Sequence, residues 1–196
     1  MRNSGRGFLR ASITRHQAGC MTWICLAVTL GVVHSPLWAA VKAFPTAEGF
    51  GANAVGGRGG RVIEVTNLND SGPGSLRACA EATGPRICVF RIGGTIALNS
   101  PISINGPNSY LTMAAQTAPG DGIQLKNWYV TIGSGAHDVI IRHLRFREGT
   151  DHTPQNINND CGGFVLYGPN GGVSNVVLDH VSVEWVCDDS LNRPVA

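Results

Sequence analysis

Residues 137–146, HDVIIRHLRF, and residues 174–183, SNVVLDHVSV, decide the fold, because they are one strand-like unit written twice. Each opens on a polar residue and an Asp or Asn, runs through three aliphatic side chains and a charged one, then reaches a histidine, His143 or His180, before alternating again. Residues 107–116, PNSYLTMAAQ, follow the same outline more loosely. Asp138 and Asn175 are 37 residues apart, and Asn108 precedes Asp138 by 30. A unit returning at an uneven period of about 20–50 residues points to a solenoid or propeller, with loops of variable length between equivalent strands.

The rest of the chain agrees with stacked coils. Short β-branched or alternating runs, among them 61–68 RVIEVTNL, 87–98 ICVFRIGGTIAL, 122–127 GIQLKN and 162–168 GGFVLYG, are separated by Gly, Asn and Pro. In a parallel β-helix the inward aliphatics of successive coils merge into one core, and Gly or Asn occupies bends that need positive φ. An antiparallel sandwich, the alternative, would show paired runs joined by two-residue turns, and few are present. Residues 74–83, GSLRACAEAT, are the single helix candidate, with Ser75 as its cap and Leu76, Cys79 and Ala80 on one face. This short helix would hide the open end of the first coil.

The leading segment, residues 1–39, reads as a secretory signal. Arg2, Arg6, Arg10 and Arg15 precede the apolar run MTWICLAVTLGVV, which is short for a membrane span, and Ala39 offers a small residue for cleavage. Removing it lowers Lys+Arg from 15 to 11 against 13 Asp+Glu, so the remaining chain, 40–196, carries a balance of −2. No basic patch with interleaved aromatics survives, so the composition excludes nucleic acid as a partner. Membrane association is likewise not expected once the signal is gone. Four cysteines stay: Cys79, Cys88, Cys161 and Cys187. Lacking a C-x-x-C knuckle for zinc, they read as disulfides of an exported protein, with three pairings open. One of those is favoured by position. Cys79 on the helix and Cys88 in the next strand would pin the cap to the first coil, and Cys161 and Cys187, about one coil apart, would join stacked coils.

Several blocks occur in one order: AFPTAEGFGANAVGGRGGRVIEVTNLNDSGPGSLRACAE (43–81), GTIAL (94–98), AAQTAPGDGI (114–123), VIIRHLRFR (139–147) and VVLDHVSVEWVCDD (176–189). Together they resemble the pectate lyase family, especially its secreted microbial members, from Ala43 to about Leu191. The resemblance implies an all-β, right-handed parallel β-helix. Within it, residues 49–60, GFGANAVGGRGG, read as a loop wrapping the first coil; a phosphate cradle would need a following G-K-S/T, which is absent.

The resemblance also implies cleavage of polygalacturonate by β-elimination with calcium as the cofactor. The hard step is removing the proton on C5 beside a uronate carboxylate, whose charge opposes carbanion formation; a divalent cation on that carboxylate spreads the developing charge. Calcium needs hard oxygen ligands, and the family pattern carries them onto Asp160, Asp188 and Asp189. Asp160 precedes the pair by 28 residues to Asp188, about one coil. Asp189 stands where the family often has Glu. Arg147, nearest the loop among Arg142, Arg145 and Arg147 on one alternating face, is the candidate for meeting uronate carboxylates. His143 and His180, placed mid-strand, read as structural, stacked or hydrogen-bonded within the coil.

The family's proton-abstracting arginine belongs to a later coil, and Arg193 lies too close to the acidic pair to match it. The expectation is therefore a truncated β-helix lacking the catalytic arginine, able to self-associate through its last coil. A polygalacturonase-type hydrolase, using carboxylates as acid and base, and a non-catalytic fragment that binds acidic polysaccharide are the alternatives.

Overall fold

The computed structural model describes residues 41–147, 149, 163–168, 172–186 and 191–192. Thirteen strands fill them in chain order. β1 (Arg61–Val65) is followed by the helix α1 (Leu76–Ala80), and then come β2 (Arg86–Phe90), β3 (Gly94–Ala97) and β4 (Ile102–Ile104). The same three-strand sequence recurs as β5 (Leu111–Ala114), β6 (Ile123–Lys126) and β7 (Val130–Ile132), then as β8 (His137–Arg142), β9 (Leu144–Arg147) and β10 (Phe164–Leu166). It recurs again as β11 (Ser174–Asp179), β12 (Ser182–Glu184) and β13 (Leu191–Asn192).

Every strand pairs in parallel with its equivalent one coil away, giving three sheets ordered β1-β2-β5-β8-β11, β3-β6-β9-β12 and β4-β7-β10-β13. This is a right-handed parallel β-helix. Parallel stacking fits the sequence because period-two alternation turns one row of each sheet inward. Ile96, Leu125, Phe146 and Val183 share one register, as do Cys88, Met113, Ile141 and Leu178 in the first sheet. Fully burying such side chains stabilises by about 1.5–3 kcal/mol each. Phe146 and Phe164 meet edge to face with centroids 4.7 Å apart, fastening the second sheet to the third.

The cap forms as its residues suggest. Ser75 accepts the Ala78 amide at 3.2 Å, and Leu76, Cys79 and Ala80 are buried. The Cys79–Cys88 disulfide, with Cα atoms 5.9 Å apart, ties α1 to β2. Closing so short a loop is worth about 2–3 kcal/mol. Beneath the helix lies Arg86, fully buried. Its guanidinium donates to the carbonyls of Cys79 (2.9 Å), Ser109 (2.8 Å), Asn108 (2.8 Å) and Gly84 (3.0 Å) and to that of Ala80. One charged side chain thus satisfies the orphan carbonyls of a helix end.

Three expectations change. Residues 137–146 are two strands in different sheets, because His143 takes φ 56° and turns the chain between β8 and β9; His180, at φ 52°, does the same between β11 and β12. The histidines therefore stand at corners and not mid-strand, and Arg142 does not share a face with Arg145 and Arg147. The earlier repeat is displaced by two residues: Leu111 registers with Val139, so Tyr110 and not Asn108 lies opposite Asp138, and both have left-handed backbone. Asn108 instead donates to the carbonyls of Glu81 and Ala82 below the cap.

The third change concerns the glycine-rich segment, which runs along the outside of the first sheet as a strap across several coils. A Cβ at Gly57 would overlap the Arg86 carbonyl, one at Gly56 the side chains of Thr112 and Ile140, and one at Gly51 the Val176 carbonyl. Glycine is needed there because backbone lies directly on backbone. The Gly57 amide donates to Thr112 Oγ1 at 2.9 Å and the Val55 amide to Asp138 Oδ1 at 2.8 Å.

Candidate functional site

The outer face of the second sheet carries its polar row. Thr95, Gln124, Arg145 and Ser182 share one register, and Arg147 faces Glu184 two residues on. Arg147 pairs with Glu184 at 2.9 Å and donates to Ser182 Oγ at 3.0 Å and to the Phe146 carbonyl at 2.7 Å. The arginine chosen for a substrate carboxylate is thus already held by the next coil. Glu184 is the more exposed member of the pair.

Asp160, Asp188 and Asp189, with Cys161 and Cys187, lie outside the described residues. The strands that follow them are described. β10, starting four residues after Asp160, and β13, starting two residues after Asp189, pair in parallel with Phe164 opposite Leu191.

A cluster gathers at the corner between the first two sheets, around the expected stack of His143 and His180. Arg142 registers with Asp179, and its Nε donates to Asp179 Oδ2 at 2.6 Å while its guanidinium lies over the Phe44 ring at 4.1 Å. Asp179 Oδ1 lies 2.8 Å from His180 Nδ1. The His180 ring stacks on His143, with centroids 4.6 Å apart and planes 14° from parallel. Partial desolvation works to raise the Asp179 pKa, but the bonds from Arg142 and His180 outweigh it and hold the carboxyl below its usual range. The signal was present in the repeat: aligning residues 137–146 with 174–183 puts Arg142 against Asp179 and His143 against His180.

Beside this corner lies an open hollow of about 630 Å³ lined by Gln116, Asp121, His143, Arg145, His180 and Ser182. Among the described residues, His143, Asp179 and His180 are the one group of three metal-ligating side chains, with ligand atoms within 4.8 Å of one another. Two imidazoles and a carboxylate already engaged by arginine do not suit calcium, which takes six or more oxygens. Among the described residues no helix is long and apolar enough to cross a membrane.

Comparison with known proteins agrees with this architecture. No family profile matches the chain. The chain is 43% identical over 171 residues to the probable pectate lyase C of Aspergillus terreus, covering 86% of this chain and 36% of that protein. It is 44% identical over 155 residues to the probable pectate lyase C of Emericella nidulans, covering 78% and 33% respectively. It therefore spans about a third of the length of these curated relatives. Among solved structures, that of Jun a 1, the major allergen from cedar pollen, matches with a TM-score of 0.57 at 21% identity, covering 73% of this chain and 43% of that one, a likeness of fold. By its sequence across most of its length, the chain belongs to the pectate lyase family.

Proposed function

We propose that the chain carries the metal-binding part of a secreted, calcium-dependent pectate lyase that cleaves polygalacturonate by β-elimination. The observation that carries this reading is the register of β10 with β13. In sequence, Asp160 precedes β10 by four residues and Asp189 precedes β13 by two, and those two strands are direct neighbours in the stack. Residues 1–39 serve as the export signal in this reading, and the four remaining cysteines suit an oxidising compartment.

Asp160, Asp188 and Asp189 would supply hard carboxylate oxygens to calcium. The bound ion would offset the uronate charge that opposes removal of the C5 proton. A balance of −2 on residues 40–196 repels a polyanion, so a carboxylate cluster attracts pectate only when a cation reverses its field. Arg147, released from Glu184, would orient a neighbouring uronate.

Calorimetric titration of calcium into the purified chain tests the site without relying on turnover. The expected result is binding that Asp188→Asn with Asp189→Asn weakens at least tenfold. Calcium binding untouched by those changes would overturn the assignment. With polygalacturonate added, an ultraviolet-absorbing unsaturated product that disappears with chelator supports the lyase, whereas a saturated reducing end that persists with chelator identifies a hydrolase.

A further inference from the structure

The corner cluster shares no residue with the acidic set proposed for calcium and has a different chemistry. We propose that His143 and His180 form a second metal site, for a divalent transition ion of the zinc class, with Asp179 as the positioning residue for His180. The two imidazoles stand in register on adjacent coils, each at a left-handed corner that fixes where its side chain leaves the backbone. Asp179 engages His180 Nδ1 at 2.8 Å, which leaves Nε2 as the ligating atom. A carboxylate behind a histidine is the usual outer-shell arrangement of a metal ligand, because it sets tautomer and ring orientation. Arg142 neutralises the same carboxylate through Oδ2 at 2.6 Å and keeps it in that supporting place.

Geometry and surroundings leave room for an ion. Zinc–nitrogen bonds are about 2.0–2.1 Å long, so two ligating nitrogens must approach more closely than the 4.6 Å separation of the ring centroids. His180 is 65% exposed at its side chain and can swing to close that gap. The hollow in front of the rings is open to water, which completes the coordination, and Asp121 and Gln116 on its wall offer further oxygens. Arg145 lines the same hollow and opposes a dication, which weakens the site. Imidazole donors favour zinc, nickel and copper over calcium and magnesium. An ion held by both rings would also link the β8 coil to the β11 coil, and binding to the folded chain alone raises its melting temperature.

The test is calorimetric titration of zinc chloride into the untagged chain in excess calcium, with far-ultraviolet circular dichroism to verify folding of each variant. One zinc per chain is expected, weakened at least tenfold by His143→Ala or His180→Ala and unchanged by Asp188→Asn with Asp189→Asn. X-ray absorption on the zinc-loaded wild-type chain needs no variant and is expected to show two imidazole ligands. An all-oxygen shell, zinc affinity indifferent to both histidine changes, no zinc binding at all, or loss of binding in the Asp188/Asp189 variant would each overturn the proposal.

Discussion

Asp138 Oδ1 accepts the backbone amide of Val55 at 2.8 Å, joining residues 83 positions apart in sequence. Its other oxygen lies 2.9 Å from His137 Nδ1. Asp138 itself sits at φ 55° and is 8% exposed. A buried carboxylate on β8 in the first sheet thus holds the glycine strap against the stack, and the left-handed backbone there aims it outward to the strap.

Replacing Asp138 with Ala removes the acceptor for Val55 and puts a β-carbon without polar compensation at a left-handed position. Together these cost about 2 kcal/mol. Asp138→Asn, which tolerates that conformation and retains an oxygen, is expected to lose less than half as much. Urea unfolding measures both, and faster proteolysis of residues 43–60 in the alanine variant would locate the loss in the strap.

Two glycines of the strap separate contact from conformation. Gly57→Ala would drive a Cβ into the Arg86 carbonyl, which belongs to a paired strand and cannot yield. Gly59 has φ 78° and nothing within 4 Å of its added Cβ, so Gly59→Ala meets only backbone strain of about 1 kcal/mol. The first substitution is expected to destabilise by about 3 kcal/mol. Equal denaturation midpoints for the two variants would contradict the packing of the strap on β2.

Burial, with repulsion from Arg61 added, brings the Arg86 pKa down to about 10, which leaves the side chain charged at neutral pH. Its carbonyl partners would be stranded by Arg86→Met, at a cost of about 3 kcal/mol or more. Lysine keeps the charge but cannot present the planar fork, so Arg86→Lys is expected to fall between methionine and wild type in thermal unfolding.

Asp179 titrates below its ordinary value in the folded chain. A depressed carboxyl contributes stability that is complete above the unfolded pKa of about 4 and is lost as pH falls through the folded value. Stability measured from pH 6 down to pH 2 is expected to drop below pH 4, and Asp179→Asn is expected to flatten that drop. The same slope in both proteins would show that the Arg142–Asp179 pair carries no acid sensitivity.

The local grammar of the fold was readable because it rests on side-chain period and turn chemistry. Alternation in residues 86–90 and 123–126 makes inward rows, Ser75 caps α1, and the spacing of Cys79 and Cys88 suits a bridge across one short loop. What could not be read was where each run bends. His143 and His180 look like strand residues in sequence because they sit inside strand-like runs, and the modest enrichment of histidine at positive φ is too weak to mark a corner; the corner arises from the need to enter a second sheet. Asn108 resembled Asp138 in type, yet strand register set Tyr110 opposite it.

The sequence by itself determined the class of fold and the capping helix, since each depends on residue type at short or regular spacing, and its likeness to known relatives gave the pectate lyase family; among three possible cysteine pairings the structure shows Cys79–Cys88. The tertiary structure decided which distant residues meet. It turned a glycine-rich loop into a strap over several coils, occupied Arg147 with Glu184, and assembled Arg142, Asp179, His180 and His143 at one corner. The physical reason is that a solenoid converts sequence separation into adjacency through its register. The length of each connecting loop, invisible to any local pattern, sets that register.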